Sequence, residues 1–333
     1  MKTGIAAYGA RLAAAVVLGA GVLLSAAPSR AAENLEWAAG SPGGSWFTIV
    51  TGLANIVMEE NPDIKIRVVP GGGRDNPTRI ESGISQMGMG IDFLAAAAMK
   101  GEDPYDRKHE TLRSLGGTWA PAEFHVIVAS DDERPLAEIL ADPKIRIGTS
   151  PRATSEELTL QRALAFYDNS SEKISEAGGT LINGTYTQLI SAFQDGQIDV
   201  LWGAGSAPTG IALETETGRR DARLVPFGDD LMTYLSDTYG YGRGTIPAGS
   251  YEKLQAGEGD VPVTTMEALI LMSSNVSEDT AYTITKTLIE NRDRFGNIYK
   301  VLGRYDPSVA WKNQPVPLHP GAEKAYKELG FMK

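Results

Sequence analysis

The chain has 333 residues, a formal net charge of −11, 42% apolar residues, 37 glycines, 18 prolines and no cysteine. At roughly 150 residues per domain this length predicts two units, each large enough to bury its own core. Without cysteine there can be no zinc ribbon, iron–sulfur cluster, thioredoxin-like centre or cysteine nucleophile, and an acidic chain lacking any Lys/Arg run is a poor ligand for nucleic acid or anionic lipid. A small-molecule partner is expected.

In chain order, residues 1–31 have the form of a secretory signal peptide. Lys2 and Arg11 precede or open an apolar run, Leu12 to Leu24, which leads to the small-residue processing site Ala26-Ala27-Pro28-Ser29-Arg30-Ala31. The run falls short of the roughly 20 residues that a membrane-spanning helix needs. The mature protein is therefore expected in the periplasm, released from the membrane and monomeric.

From Leu35 the pattern alternates strand, loop and helix. A short strand (35–39) leads through Gly40-Ser41-Pro42-Gly43-Gly44 into a helix from Ser45 to Glu60, stopped by Pro62. A strand at 64–69 leads through Pro70-Gly71-Gly72-Gly73-Arg74-Asp75-Asn76 into a helix led by Pro77, and a strand at 87–91 leads through Asp92 into the helical run 93–99. This grammar predicts parallel strands with crossover helices and a ligand at the carboxyl ends of the strands. A second unit repeats it, with strands at 124–129, 144–148 and 198–202, and helices at 135–141, 154–167 and 186–194. The glycines of Tyr239-Gly240-Tyr241-Gly242-Arg243-Gly244 suit a crossing or bend, followed by one long strand at 263–272 and a helix at 278–292. The expected organisation is a first lobe of 33–125 plus 237–333, an inserted lobe of 126–236, and a hinged cleft between them.

A search for catalytic patterns returns absences. No Gly-x-Ser-x-Gly elbow or phosphate loop occurs, and His109, His125 and His319 have no metal-ligand spacing; His125, opening a buried strand, is expected to be structural. The expectation is no metal, no cofactor and no enzymatic activity. The positive signal is anion binding by backbone: Gly43-Gly44 precedes a helix start, where N–H groups and about half a positive charge converge, and Gly71-Gly72-Gly73 can form a similar nest. Arg74 or Arg152 could add a guanidinium contact.

Five tracts in order, Ala38-Ala39-Gly40-Ser41-Pro42-Gly43-Gly44-Ser45-Trp46-Phe47, Gln194-Asp195-Gly196-Gln197-Ile198-Asp199-Val200, Ala204-Gly205-Ser206-Ala207-Pro208-Thr209, Ile246-Pro247-Ala248-Gly249-Ser250-Tyr251 and Pro317-Leu318-His319-Pro320-Gly321-Ala322, carry a resemblance. Together they resemble the TAXI family of solute-binding proteins, the receptors of tripartite ATP-independent periplasmic (TRAP) transporters. The resemblance spans essentially the whole mature chain. It implies a type II periplasmic-binding-protein fold, α/β, with two lobes joined by a hinge around a ligand cleft. It also implies a receptor that captures a small organic anion, a carboxylate or amino acid such as glutamate or 2-oxoglutarate, and passes it to integral-membrane TRAP permease subunits. The alternative reading is a periplasmic sensor docking a membrane receptor kinase.

Carried over by position, the resemblance implies ligand contacts from Ser41, Gly43, Gly44, Trp46, Gly73 and Asn76 in the first lobe, and from Thr154, Tyr186, Gly203 and Ala204 in the second. Two departures bear on specificity. Where the family commonly has Pro-Gly-Ser-Gly-Thr this chain has Ser150-Pro151-Arg152-Ala153-Thr154, which makes Arg152 the candidate carboxylate contact, with an expected cost of about 1.5–3 kcal/mol for Arg152→Ala. After the third strand, Ile91-Asp92-Phe93 leads into four alanines, leaving Asp92 either to pair a ligand ammonium or to cap its helix.

Overall fold

The computed structural model describes residues 33–119, 121–255 and 259–333. The expected signal peptide lies outside the described residues. Twelve strands form two sheets: β1 (Glu33–Ala38), β2 (Ile64–Val69), β3 (Met87–Ile91), β4 (Leu112–Ser114), β5 (Ala122–Ala129), β6 (Arg146–Thr149), β7 (Thr180–Asn183), β8 (Val200–Gly205), β9 (Ala222–Leu224), β10 (Gly242–Ile246), β11 (Val261–Met266) and β12 (Ala268–Ser273). The first sheet runs β2-β1-β3-β12-β4. The second runs β10-β11-β5-β8-β6-β7, with β9 paired to β5.

Seven helices bear on the site: α1 (Ser45–Glu60), α2 (Asn76–Glu81), α3 (Asp92–Lys100), α4 (Leu136–Ala141), α5 (Ser155–Phe166), α6 (Ser171–Glu176) and α7 (Tyr186–Gln194). Helix α1 forms because Trp46, Ile49, Val50, Leu53, Ala54, Ile56 and Val57 fall on one stripe that the core buries. It ends where Asn61 returns its N–H to the Val57 carbonyl ahead of Pro62. Strands β3 and β12 are buried at all their positions, as central strands covered on both faces must be.

Parallel pairing holds only within each half. β1 is parallel to β2 and β3, and β6 to β7 and β8, whereas β12 runs antiparallel to β3 and β4, and β5 antiparallel to β8, β9 and β11. The sheets are mixed because the strands that cross between lobes enter each sheet against its βα direction.

The return crossing also differs from expectation. Residues 242–246, read as a bend, form β10, and residues 263–272, read as one strand, are two strands in different sheets with only Glu267 between them. A continuous apolar run does not reveal which sheet covers each half of it, so the inserted unit extends to Met266 rather than ending at 236. The outward crossing starts beside β12, where the Ile270 N–H donates to the Gly116 carbonyl at 3.1 Å. The lobes close on one another within one compact unit, residues 32–333.

Candidate functional site

The loops that follow β1, β2 and β6 and the starts of α1, α5 and α7 meet between the lobes around a small cavity. The first lobe contributes Gly40, Ser41, Gly44, Ser45 and Trp46, with Gly71, Gly72 and Gly73 opposite. The second contributes Thr154, Ser155, Glu156, Tyr186, Ala204 and Gly205. At the base sit Ala122, first residue of β5, and Met266, last residue of β11, which face each other in register.

Small residues let the walls meet. A Cβ on Gly72 would stand 3.1 Å from the Thr154 Cα and 3.2 Å from the Ala153 carbonyl, and one on Gly44 would stand 3.5 Å from the Tyr186 ring. A side chain at Gly72 would therefore press the walls apart by a few tenths of an ångström, because two of its three nearest neighbours are backbone atoms of the facing lobe.

Of the residues implied by resemblance, Ser41, Gly44, Trp46, Gly73, Thr154, Tyr186 and Ala204 are brought to the cavity. The others stand elsewhere. Asn76 is fully buried behind the wall, where its amide nitrogen donates to the carbonyls of Ala39 and Met89 at 2.8 Å and its oxygen accepts the Gly72 N–H at 3.1 Å. It ties the ends of β1 and β3 to the glycine loop. Gly43 makes the turn before α1 with φ of 83°, and Gly203 lies beside the Tyr186 ring. Arg152 borders an outer recess with Arg74 and Glu157, and Asp92 borders a third depression with Phe93 and Arg162.

Asp92 belongs to the hinge. Its N–H donates to the Glu267 carbonyl at 3.1 Å, while Ile91 holds the N-cap position of α3. Burial raises the carboxyl of Asp92, and burial with the nearby Asp92 and Glu123 charges pushes Glu267 up to about 7. The histidines are engaged structurally: burial lowers His125 to about 4, with Nε2 at 2.8 Å from the Tyr251 hydroxyl, and His319 caps the helix Pro320–Glu328. Among the described residues no cluster of His, Cys, Asp or Glu could hold a metal ion, and no helix is long and apolar enough to cross a membrane.

The three helix starts at the cavity are not equivalent. Thr154 caps α5 by accepting the Glu157 N–H, and Thr185 caps α7 in a reciprocal capping box with Gln188. Helix α1 begins at Gly44, which has no side chain to offer, so its first-turn N–H groups and the positive end of its dipole are left for whatever occupies the cavity.

Sequence reasoning missed Glu156, Ser45, Ser155 and the base residues Ala122 and Met266. Among the described residues, Glu156 is the one charged side chain in the lining. Its Oε1 accepts from the Tyr186 hydroxyl at 2.8 Å and its Oε2 from Ser155 at 2.8 Å. Burial, with the Glu156 charge beside it, raises the Tyr186 phenol well above its usual range, so it remains a neutral donor. Two acids in the first turn of a helix, Glu156 and Glu157, are what the helix dipole favours anyway. Only the geometry separates the one facing the cavity.

Glu157 faces the other way, into a pair of ion bridges that strap α5 to the first lobe. Arg74 stands 3.5 Å from Glu157, and the buried Arg162 reaches Asp103 at 2.7 Å. Arg162 is further held by the Tyr241 hydroxyl at 3.1 Å and lies over the Tyr239 ring at 3.8 Å.

Comparison with known proteins places this geometry. Residues 37–330 match the model of a family described as NMT1-like. Among solved structures, the periplasmic binding protein BugD is similar at a TM-score of 0.51 and 12% identity, over 90% of this chain and 98% of its own. The alkanesulfonate-binding protein SsuA from Xanthomonas axonopodis pv. citri, bound to MOPS, matches at 19% identity and a TM-score of 0.43 over 90% and 92% of the two chains. The likeness to BugD is one of fold: two α/β lobes, each on a mixed sheet, in the periplasmic-binding-protein arrangement.

Proposed function

The chain belongs to the NMT1-like family, and from that premise we propose that it is an extracytoplasmic receptor that captures a small organic anion, a carboxylate or amino acid, and delivers it to a membrane permease. The observation that carries this reading is the interlobe cavity, lined from both lobes and meeting the uncapped start of α1. A carboxylate seated there satisfies first-turn N–H groups that have no internal partner. Contact with Thr154, Ser155 and Tyr186 on the facing wall makes the solute bind the closed state better than the open one, and that difference drives closure. The five sequence tracts favour the TAXI branch and hence a TRAP permease as recipient. BugD and SsuA are named as binding proteins, which accords with capture rather than turnover.

The test is thermal unfolding of the mature protein, first unfolded and refolded to strip bound solute, against dicarboxylates, 2-oxo acids, amino acids, amines and sugars. A solute at 100 times its Kd stabilises by about 2.7 kcal/mol. A shift confined to one chemical series is expected. The absence of any shift, or conversion of a solute into product, overturns the reading.

A further inference from the structure

Resting on the receptor reading, we infer that Glu156 selects the solute, and that it selects one presenting a protonated amine. Among the described residues the cavity lining carries one formal charge, and it is negative: no described Lys, Arg or His belongs to the lining, and Arg152, the cation the sequence offered, stands in a separate recess. The other Glu of this turn, Glu157, is matched by Arg74. Glu156 is met only by hydroxyl groups, those of Tyr186 and Ser155 at 2.8 Å and of Ser150 at 3.5 Å.

An ionised carboxylate accepts about four hydrogen bonds and donates none. The two close hydroxyls leave capacity for a further donor on the cavity side, and an ammonium fills it with the opposite charge. A keto oxygen at that point would set acceptor against acceptor, and a second carboxylate would add like charge against like.

The opposite wall has the opposite polarity, because α1 starts at Gly44 without a side-chain cap. A solute spanning the two walls is therefore dipolar, with its acidic end at α1 and its amine at Glu156. This separates amino acids from the 2-oxo acids that share their skeleton.

The experiment compares two sets of solutes that differ only at C2: L-glutamate, 2-oxoglutarate and L-2-hydroxyglutarate; and L-alanine, pyruvate and L-lactate. Affinities are measured by calorimetry on the refolded mature protein. In at least one set the amine member is expected to bind about 10- to 100-fold more tightly than its oxo and hydroxy counterparts, as a charge-assisted bond warrants. Glu156→Gln is expected to reduce that advantage to about threefold or less, while Glu156→Asp, which retains the charge, preserves the preference. If Glu156 merely holds Tyr186 in place, Glu156→Gln weakens all members of a set by the same factor, and the inference falls. It falls equally if an oxo or hydroxy acid binds as well as its amine. Those results leave the receptor reading standing, whereas the failure of every solute in the wider panel removes the reading and the inference together.

Discussion

The two walls of the cleft are made differently. The first lobe presents backbone: Gly40, Gly44, Gly71, Gly72 and Gly73, with Ser41, Ser45 and Trp46 among them. The second presents functional side chains: Thr154, Ser155, Glu156 and Tyr186. A backbone wall offers N–H groups whose positions are set by strand ends and by the Asn76 tie, and under the proposed function it takes an acidic group in general. A side-chain wall can be rewritten one residue at a time. The division suggests that the first lobe supplies affinity for a class of solute and the second chooses within it.

Substitutions that respect or violate this division should differ in size. The largest effect is expected from Gly72→Val, which sets a branched side chain against the Thr154 and Ala153 backbone. Solute affinity should fall by about 100-fold, at the upper end of what overpacking costs, with folding retained. Small-angle scattering at saturating solute should then report an open form; wild-type affinity would mean that the walls need not meet. Next comes the strap. Asp103→Ala removes an exposed partner but leaves the Arg162 guanidinium, only 5% exposed, without its carboxylate, so stability should fall by about 1–2 kcal/mol, a loss that shrinks in part as salt rises. A salt-independent loss would assign Asp103 a different role. The smallest effect is expected from Arg152→Ala: the residue borders the outer recess, and titration should find affinity within about twofold of wild type, where a direct charge-assisted contact would cost tenfold or more.

The elements were legible where local physics decides them. Helices α1 and α7 and strands β2 and β3 start and stop in the structure where apolar periodicity, Pro62 and the loop glycines place them in the sequence. The two glycine-rich strand-to-helix loops of the first lobe were legible for the same reason, and both reach the cavity. Assignments that depend on partners far along the chain were not. The run 263–272 reads as one strand because a continuous apolar stretch looks the same whichever sheet covers each half of it. Asn76 follows the glycine loop as a ligand contact would, yet three backbone carbonyls nearly forty residues or less away claim its amide. Arg152 has the charge wanted for an anion but not the direction, and Glu156 was one acid among 42 acidic residues until the fold turned it toward the cavity.

Ala122 and Met266 sit where the chain passes between the lobes, and they also line the cavity that the receptor reading assigns to a solute. The pivot and the seat are thus the same pair of residues. Under the receptor reading, a molecule held against that pair acts close to the pivot, so its thickness there sets how far the lobes close. Such a receptor would report the bulk of its cargo as an angle between its lobes, a quantity that a recipient at the membrane surface could read without touching the cargo.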